Sequence, residues 1–372
     1  MTAAGGPSSV LLAGGGTAGH VSPLLALADC LRRRDPDVVV TALGTETGLE
    51  SRLVPARGYP LLTVPKVPLP RRPSADLLRL PGSLRSAVRA AERAIEQTGA
   101  QVVVGFGGYV STPAYLAARR RGVPVVVHEQ NARPGLANRL GARMTRHVAT
   151  TFASTSLPHA TTIGMPLRRE IALLDRAGRR DEAVEHFGLE RRWPTLLVTG
   201  GSLGAQRLNA TFEDRVNALR EAGVQVLHLT GVGKDFAVDT SGPGAAYVVV
   251  PYTDRMDLAY AAADLVVCRA GAGTVCELTA VGLPAVYVPL PIGNGEQRFN
   301  AADVVAAGGG LLVDDAALTP AWVESTLLQL LADRARVDAM TRAATGVGER
   351  GADELLADMV LAAHAEHVAG PR

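Results

Sequence analysis

The chain has 372 residues, 47% of them hydrophobic and 20% charged, enough to bury the cores of two domains of ordinary size. Its three cysteines, Cys30, Cys268 and Cys276, form neither a CxxC pair nor an even set, which argues against a disulfide scaffold or zinc ribbon and for a reduced cytosol; no signal peptide and no run of about 20 apolar residues appears, so no membrane span is expected. Net charge is only +2, yet residues 1–150 carry 19 Lys and Arg against 9 Asp and Glu, and the remainder 19 against 27, so the first part is suited to something anionic: nucleic acid, a phosphorylated substrate or a membrane surface.

In chain order, Val10–Ala13 reads as a strand that runs into the glycine-rich turn Gly14–His20. An apolar and basic interruption, Lys66–Arg89, is followed by a helical pattern over Ser86–Gln97. Val102–Val104, Val125–Val127, Leu196–Val198, Val248–Val250 and Leu265–Val267 are apolar at every position. Such runs mark strands buried on both faces, hence parallel sheets. Alanine-rich, helix-length segments, among them Gln206–Glu221 and Asn300–Ala307, alternate with them as in repeated βαβ units. The predicted class is doubly wound α/β.

The chain also echoes itself. Val10–Ala13 before Gly14-Gly15-Gly16 is matched, 186 residues on, by Thr195–Thr199 before Gly200-Gly201-Ser202-Leu203-Gly204. This places one sheet domain over residues 1–164 and a second over 165–346, with the final stretch, 347–372, packing back on the first.

In open parallel sheets ligands bind beyond the carboxyl ends of the strands. The unusual residues fall there: Gly14–His20, Gly105–Tyr109 and His128–Asn131 in the first half, and Gly200–Ala205, Ala270–Glu277 and Asn294–Asn300 in the second. Glycine turns that open helices admit phosphate oxygens. Gly14, Gly16 and Gly19 satisfy GxGxxG, but a dinucleotide site also wants an acid closing the next strand. After Val38–Leu43 come Gly44 and Thr45, with Glu46 only nearby.

His20, at the start of a helix, is a candidate base whose imidazole the helix dipole keeps neutral; local packing is the bland reading. Glu277 could accept both hydroxyls of a ribose or be a solvated helix carboxylate. Gln297 and Asn300 suit sugar hydroxyls, with ordinary capping as the competing account. Arg168 could reach a diphosphate at the domain junction, or lie on the surface. No DxD-type acidic pair ends a strand and no His/Cys cluster has metal-ligand spacing, so no metal site is expected.

Taken together, Gly14–His20, His128-Glu129-Gln130-Asn131, Gly200–Ala205 and Ala270–Glu277 with Glu296-Gln297 resemble the MurG family of peptidoglycan N-acetylglucosaminyltransferases, over Val10 to about Leu312. The resemblance implies a GT-B fold, two Rossmann-like domains facing a central cleft, with the acceptor held by the first and UDP-N-acetylglucosamine by the second. By matching position, it puts Thr17, Ala18 and Gly19 beside the donor sugar and diphosphate and Asn131 on the sugar. It puts Arg168 and Ser202 at the diphosphate, Thr253 beside the uracil, and Ala272, Gly273, Thr274, Val275 and Cys276 on the nucleotide, with Glu277 on the ribose and Gln297 and Asn300 on the sugar. Three residues depart from the family pattern: Ala18 replaces a glycine, Met165 an asparagine and Cys276 a serine. The alanine is tolerable if its φ is negative.

The family's reaction joins C1 of the donor to the C4 hydroxyl of the muramoyl sugar of lipid I by inversion, giving lipid II. His20 is the expected base and Glu129 the reserve. No cofactor is implied and no nucleic-acid partner; cell-wall synthesis and division proteins are. The acceptor is a polyprenyl diphosphate in the inner leaflet, so the chain is expected at the cytoplasmic face of the membrane. Lys66, Arg71, Arg72 and Arg79, interleaved with Leu77 and Leu78, suit an anionic lipid surface, against the alternative of a solvated basic helix with its leucines in the core. A nicotinamide oxidoreductase, a nucleotide-sugar epimerase, a diacylglycerol glycosyltransferase and a non-catalytic sugar-nucleotide binder are the other readings.

Overall fold

The computed structural model describes residues 5–67, 76–201, 205–239, 241–291 and 295–370, with the side chains of 76–80 outside that description. The chain divides into two compact units, Met1–Arg168 with Arg350–Arg372, and Arg169–Glu349. The first holds β1 (Ser9–Ala13), β2 (Val39–Gly44), β3 (Leu61–Thr63), β4 (Val102–Gly105), β5 (Val125–Glu129), β6 (His147–Thr150) and β7 (Ala160–Thr162). They form one parallel sheet in the order β3-β2-β1-β4-β5-β6-β7.

The second unit holds β8 (Thr195–Thr199), β9 (Gln225–Leu229), β10 (Tyr247–Val250), β11 (Leu265–Cys268), β12 (Ala285–Tyr287) and β13 (Gly310–Leu312). Their order is β10-β9-β8-β11-β12-β13, again all parallel. Counted from its own first strand, each sheet reverses direction between its first and fourth strands, which puts the β1 and β4 loops, and the β8 and β11 loops, at the two switch points.

The uninterrupted apolar runs have a direct cause. Val10 and Leu12 of β1 pack with Leu24, Leu27, Leu356 and Val360 on one face of the sheet, while Leu11 and Ala13 pack with Val88, Ala91, Ile95 and Tyr115 on the other. Both faces of the strand are therefore dry, and a polar side chain there needs a partner, as Ser9 finds by donating to the Thr98 oxygen at 2.8 Å. Two expected helices differ in the structure. Gln206–Glu221 is two helices, Gln206–Glu213 and Val216–Glu221, because Arg215 leaves the helical region at φ −124°. The second, Asn300–Ala307, keeps one short helix, Ala302–Ala306, and loses its first residue to the preceding helix Glu296–Asn300.

The last helix, Ala352–Ala369, belongs to the first unit. It is clasped to the end of helix Ala18–Arg34: Arg33 bonds Asp353 at 3.0 Å and Glu354 at 2.5 Å, and Arg34 bonds Glu354 at 2.5 Å and Asp358 at 2.6 Å. These guanidiniums, Arg33 first, hold the Glu354 carboxyl down to about 2. Cys30, Asp353 and Glu354 come within 4.8 Å of one another, but the two arginines already balance the carboxylates.

Candidate functional site

In the first unit the turn after β1 is built around Gly16, whose φ of +88° a side chain would strain. Thr17 is extended, at φ −133°, and its carbonyl accepts from the N–H groups of His20 at 3.1 Å and Val21 at 3.2 Å, opening helix Ala18–Arg34. His20 Nδ1 lies 3.1 Å from the Gly15 carbonyl oxygen and 3.0 Å from Thr17 Oγ1. A carbonyl can only accept, so Nδ1 carries the proton and Nε2 keeps its lone pair. Among the described residues His159 alone combines a side chain with positive φ, so Ala18, at the first helical position, carries its methyl without strain.

The turn after β4 closes on this ring. A Cβ at Gly107 would stand 3.3 Å from His20 Nε2 and 3.2 Å from Asn138 Nδ2, and one at Gly108 2.7 Å from the Gly15 oxygen. The imidazole pKa is lowered, chiefly by burial, with the Gly15 bond and the Glu50 charge opposing. Burial is the leading cause of that shift. Sequence reading missed Glu50: it is wholly buried and accepts the Gly16 N–H at 2.8 Å.

At the end of β5, Glu129 is 2% exposed. One oxygen accepts from Asn131 N at 2.9 Å and Asn138 Nδ2 reaches the other at 3.0 Å, together with Gly135 N at 3.0 Å. Asn138 in turn accepts from Tyr115 at 2.7 Å. Burial raises the Glu129 carboxyl and these donors oppose it. Both oxygens are occupied, so Glu129 fixes the loop that carries Asn131. Its neighbour His128 is buried with Nε2 3.1 Å from the Gly164 oxygen and its pKa pushed down to about 4 by desolvation. Lys66, offered by sequence to the acceptor or membrane, lies over the Tyr109 ring at 5.7 Å.

In the second unit, Ala272, Gly273, Thr274, Val275 and Cys276 form the first turns of helix Ala272–Ala280 after β11, with Ala272 and Val275 buried. Glu277 follows on the same helix and accepts from Tyr260 Oη at 2.7 Å. Burial raises the Cys276 thiol, so it stays protonated. Gln297 Oε1 accepts from Leu290 N at 2.9 Å, and the buried Asn300 amide donates to the Ala270 oxygen at 3.3 Å. Both side chains thus pin loops to helix Glu296–Asn300. Thr253 Oγ1 caps the Arg255 N–H at 3.0 Å. Arg269, unremarked in the sequence, ends β11 by donating to Val288 O at 3.1 Å and pairing with Asp315 at 2.6 Å.

Arg168 is half-buried at the last position of the first segment of unit one. Ser202, Arg71 and Arg72 lie outside the described residues, as do the side chains of Leu77, Leu78 and Arg79. Beyond them, helix Asp76–Thr98 presents Arg85, Arg89 and Arg93 to solvent at four-residue spacing, while Ala87, Val88, Ala91, Ala94 and Ile95 enter the core. Among the described residues no helix is long and apolar enough to cross a membrane.

Two family models match the chain: the glycosyltransferase family 28 N-terminal domain over residues 10–150 and its C-terminal domain over 195–356. The chain is 59% identical, over 94% of its length and 97% of the relative's, to the UDP-N-acetylglucosamine–N-acetylmuramyl-(pentapeptide) pyrophosphoryl-undecaprenol N-acetylglucosamine transferase of Streptomyces avermitilis. The chain belongs to the MurG branch of glycosyltransferase family 28. The corresponding transferase of Acidothermus cellulolyticus is 58% identical, with 94% and 96% covered. The crystal structure of Acinetobacter baumannii MurG superposes with a TM-score of 0.77 at 29% identity, covering 95% of this chain and 99% of that one. A Neisseria meningitidis UDP-GlcNAc 2-epimerase, 12% identical with a TM-score of 0.65, shares the fold alone. The two Rossmann-like units of this family 28 enzyme are those of the GT-B class.

Proposed function

We propose that this chain transfers N-acetylglucosamine from UDP-N-acetylglucosamine to the C4 hydroxyl of the muramoyl sugar of lipid I, with inversion, and so makes lipid II. The observation that carries the reading is the 59% identity, nearly end to end, to transferases named for that reaction. That identity favours lipid I over the diacylglycerol, epimerase and oxidoreductase readings.

One displacement suffices: the acceptor oxygen attacks C1 as the bond to the diphosphate breaks. His20 Nε2, left unprotonated by the Nδ1 contact with Gly15, takes the hydroxyl proton. Thr17, Ala18, Gly19 and Asn131 border the sugar in this reading. The second unit holds UDP, with Glu277 on the ribose, Thr253 by the uracil, and Gln297 and Asn300 toward the sugar. The N-terminus of helix Ala272–Ala280, Arg168 and Ser202 balance the leaving diphosphate. No cofactor is required in this reading.

The first unit meets the acceptor and the membrane. Arg85, Arg89 and Arg93, with Lys66 and the basic stretch before the helix, suit an anionic inner leaflet, so the enzyme works as a peripheral protein on the cytoplasmic face. Incubating labelled UDP-N-acetylglucosamine with lipid I, with diacylglycerol or with no acceptor tests the assignment. Label should enter only the lipid I product; label in diacylglycerol, or donor consumed without acceptor, overturns it.

A further inference from the structure

Nothing in the reaction as written above uses Glu50, yet it is a wholly buried carboxylate directly beneath the His20 turn. Its Oε2 accepts from Gly16 N at 2.8 Å; its Oε1 accepts from Thr45 N at 2.8 Å and Thr45 Oγ1 at 2.7 Å. Among the described residues no Lys or Arg pairs with it. A lone buried charge is costly, and here it is kept ionised by those three donors together with its own backbone N–H, which outweigh burial and lower its pKa. Gly15, Gly44 and Gly48 wrap it so closely that a Cβ on any of them would collide with its side chain. The carboxylate is therefore the object around which two backbone segments, the turn at Gly15 and the loop from Gly44 to Gly48, are laid.

We infer that Glu50 is a positioning residue for the transfer: by holding the Gly16 N–H it fixes the left-handed turn that aims the Gly15 carbonyl at His20 Nδ1, and so selects the tautomer whose Nε2 can accept the acceptor proton. The chain of contacts is short. Glu50 holds Gly16, the neighbouring Gly15 oxygen holds Nδ1 at 3.1 Å, and Gly107 and Gly108 lie against the ring, where an added Cβ would stand 3.3 Å from Nε2 and 3.5 Å from Nδ1. Glu50 supplies the charge that acts on His20, favouring its protonated form; the turn after β4 that packs on the ring brings no charge, and Glu129 beyond Asn138 is occupied by its own donors. The same contact answers the GxGxxG match. The Gly16 N–H, which a phosphate would need, is already spent on an internal carboxylate.

This inference rests on His20 being the base, and the test separates the two. Glu50→Gln keeps the shape but offers one acceptor oxygen where two are used, so either Gly16 or Thr45 loses its partner. Turnover of lipid I at saturating donor is expected to fall about 10- to 100-fold, as for a catalytic group displaced by about an ångström, with the donor KM changed less than threefold. The acid limb of the kcat/KM profile should move to lower pH by about half a unit, because a negative charge near the imidazole is gone. Histidine-selective 15N NMR should show Nδ1–H His20 in the wild type and mixed tautomers in the variant. If Glu50→Gln destabilises the fold, Thr45→Val, which removes one donor from the carboxylate, should show the tautomer change to a smaller degree. An unchanged limb and tautomer in a folded Glu50→Gln overturns the inference while leaving His20 as base. Near-normal turnover of His20→Ala would instead remove the base reading beneath it.

Discussion

Tyr260 donates its phenolic hydrogen to Glu277 at 2.7 Å, so a carboxylate on helix Ala272–Ala280 is aimed by a ring from helix Met256–Ala262. The ring is buried, which leaves the carboxylate one fixed direction. If Glu277 grips the ribose diol, its aim matters as much as its charge. Glu277→Ala should raise the donor KM about 10- to 100-fold, the worth of hydrogen bonds to a charged group, and Tyr260→Phe about 2- to 10-fold. Steady-state kinetics at fixed lipid I decides; a Tyr260→Phe enzyme with the wild-type KM would show that Glu277 needs no such support.

His20→Ala should lower kcat by roughly 10²–10⁴-fold with the donor KM little altered. Because burial lowers the imidazole pKa from 6.5, the acid limb of the wild-type kcat/KM profile should lie below pH 6.5, and it should vanish in the variant. A limb that survives His20→Ala belongs to another group.

Acid should unfold both units through histidines that are neutral only when folded. Burial pushes His128 down to about 4 and His228 to about 3. Below the unfolded value of 6.5 the unfolded chain binds more protons than the folded one, so stability is complete above that pH and drains away as pH falls toward those two values. By pH 4 each site should have withdrawn on the order of 3 kcal/mol. Denaturation midpoints measured between pH 4 and 7 test this, and His228→Gln should start less stable at pH 7 and lose less on acidification.

Flotation with liposomes tests the basic helix. Replacing Arg85, Arg89 and Arg93 by Gln should weaken binding to anionic vesicles by about 1 kcal/mol per cation, and Leu77→Ser with Leu78→Ser should weaken it further. Binding indifferent to both lipid charge and these changes would leave the helix as a solvated surface.

The strands were legible because burial on two faces leaves no freedom of composition: Val102–Val104 and Leu196–Val198 could be nothing polar. Edge strands β3, β7 and β13 escaped, since three residues with little buried apolar surface leave no pattern. The glycine turns could be read and their ring of contacts could not. Glu46 is the acid nearest the end of β2 in sequence, whereas Glu50, a turn later, is the one that goes under the loop. What identifies it is the emptiness at Gly15, Gly44 and Gly48, positions whose closeness only folding creates. Glu129 was readable as a motif residue, but that its oxygens are used up by Asn131, Gly135 and Asn138 was not.

The clasp between Arg33, Arg34 and the last helix has a consequence for synthesis. The first unit is closed by residues 350–372, so the ribosome must deliver the whole second unit before the first can be completed. The usual order, in which the N-terminal domain is complete before the next is made, is not open to this chain. Until the terminus emerges, the surface of helix Ala18–Arg34 that Leu356 and Val360 will cover stays open to water, on the very helix that the His20 turn opens.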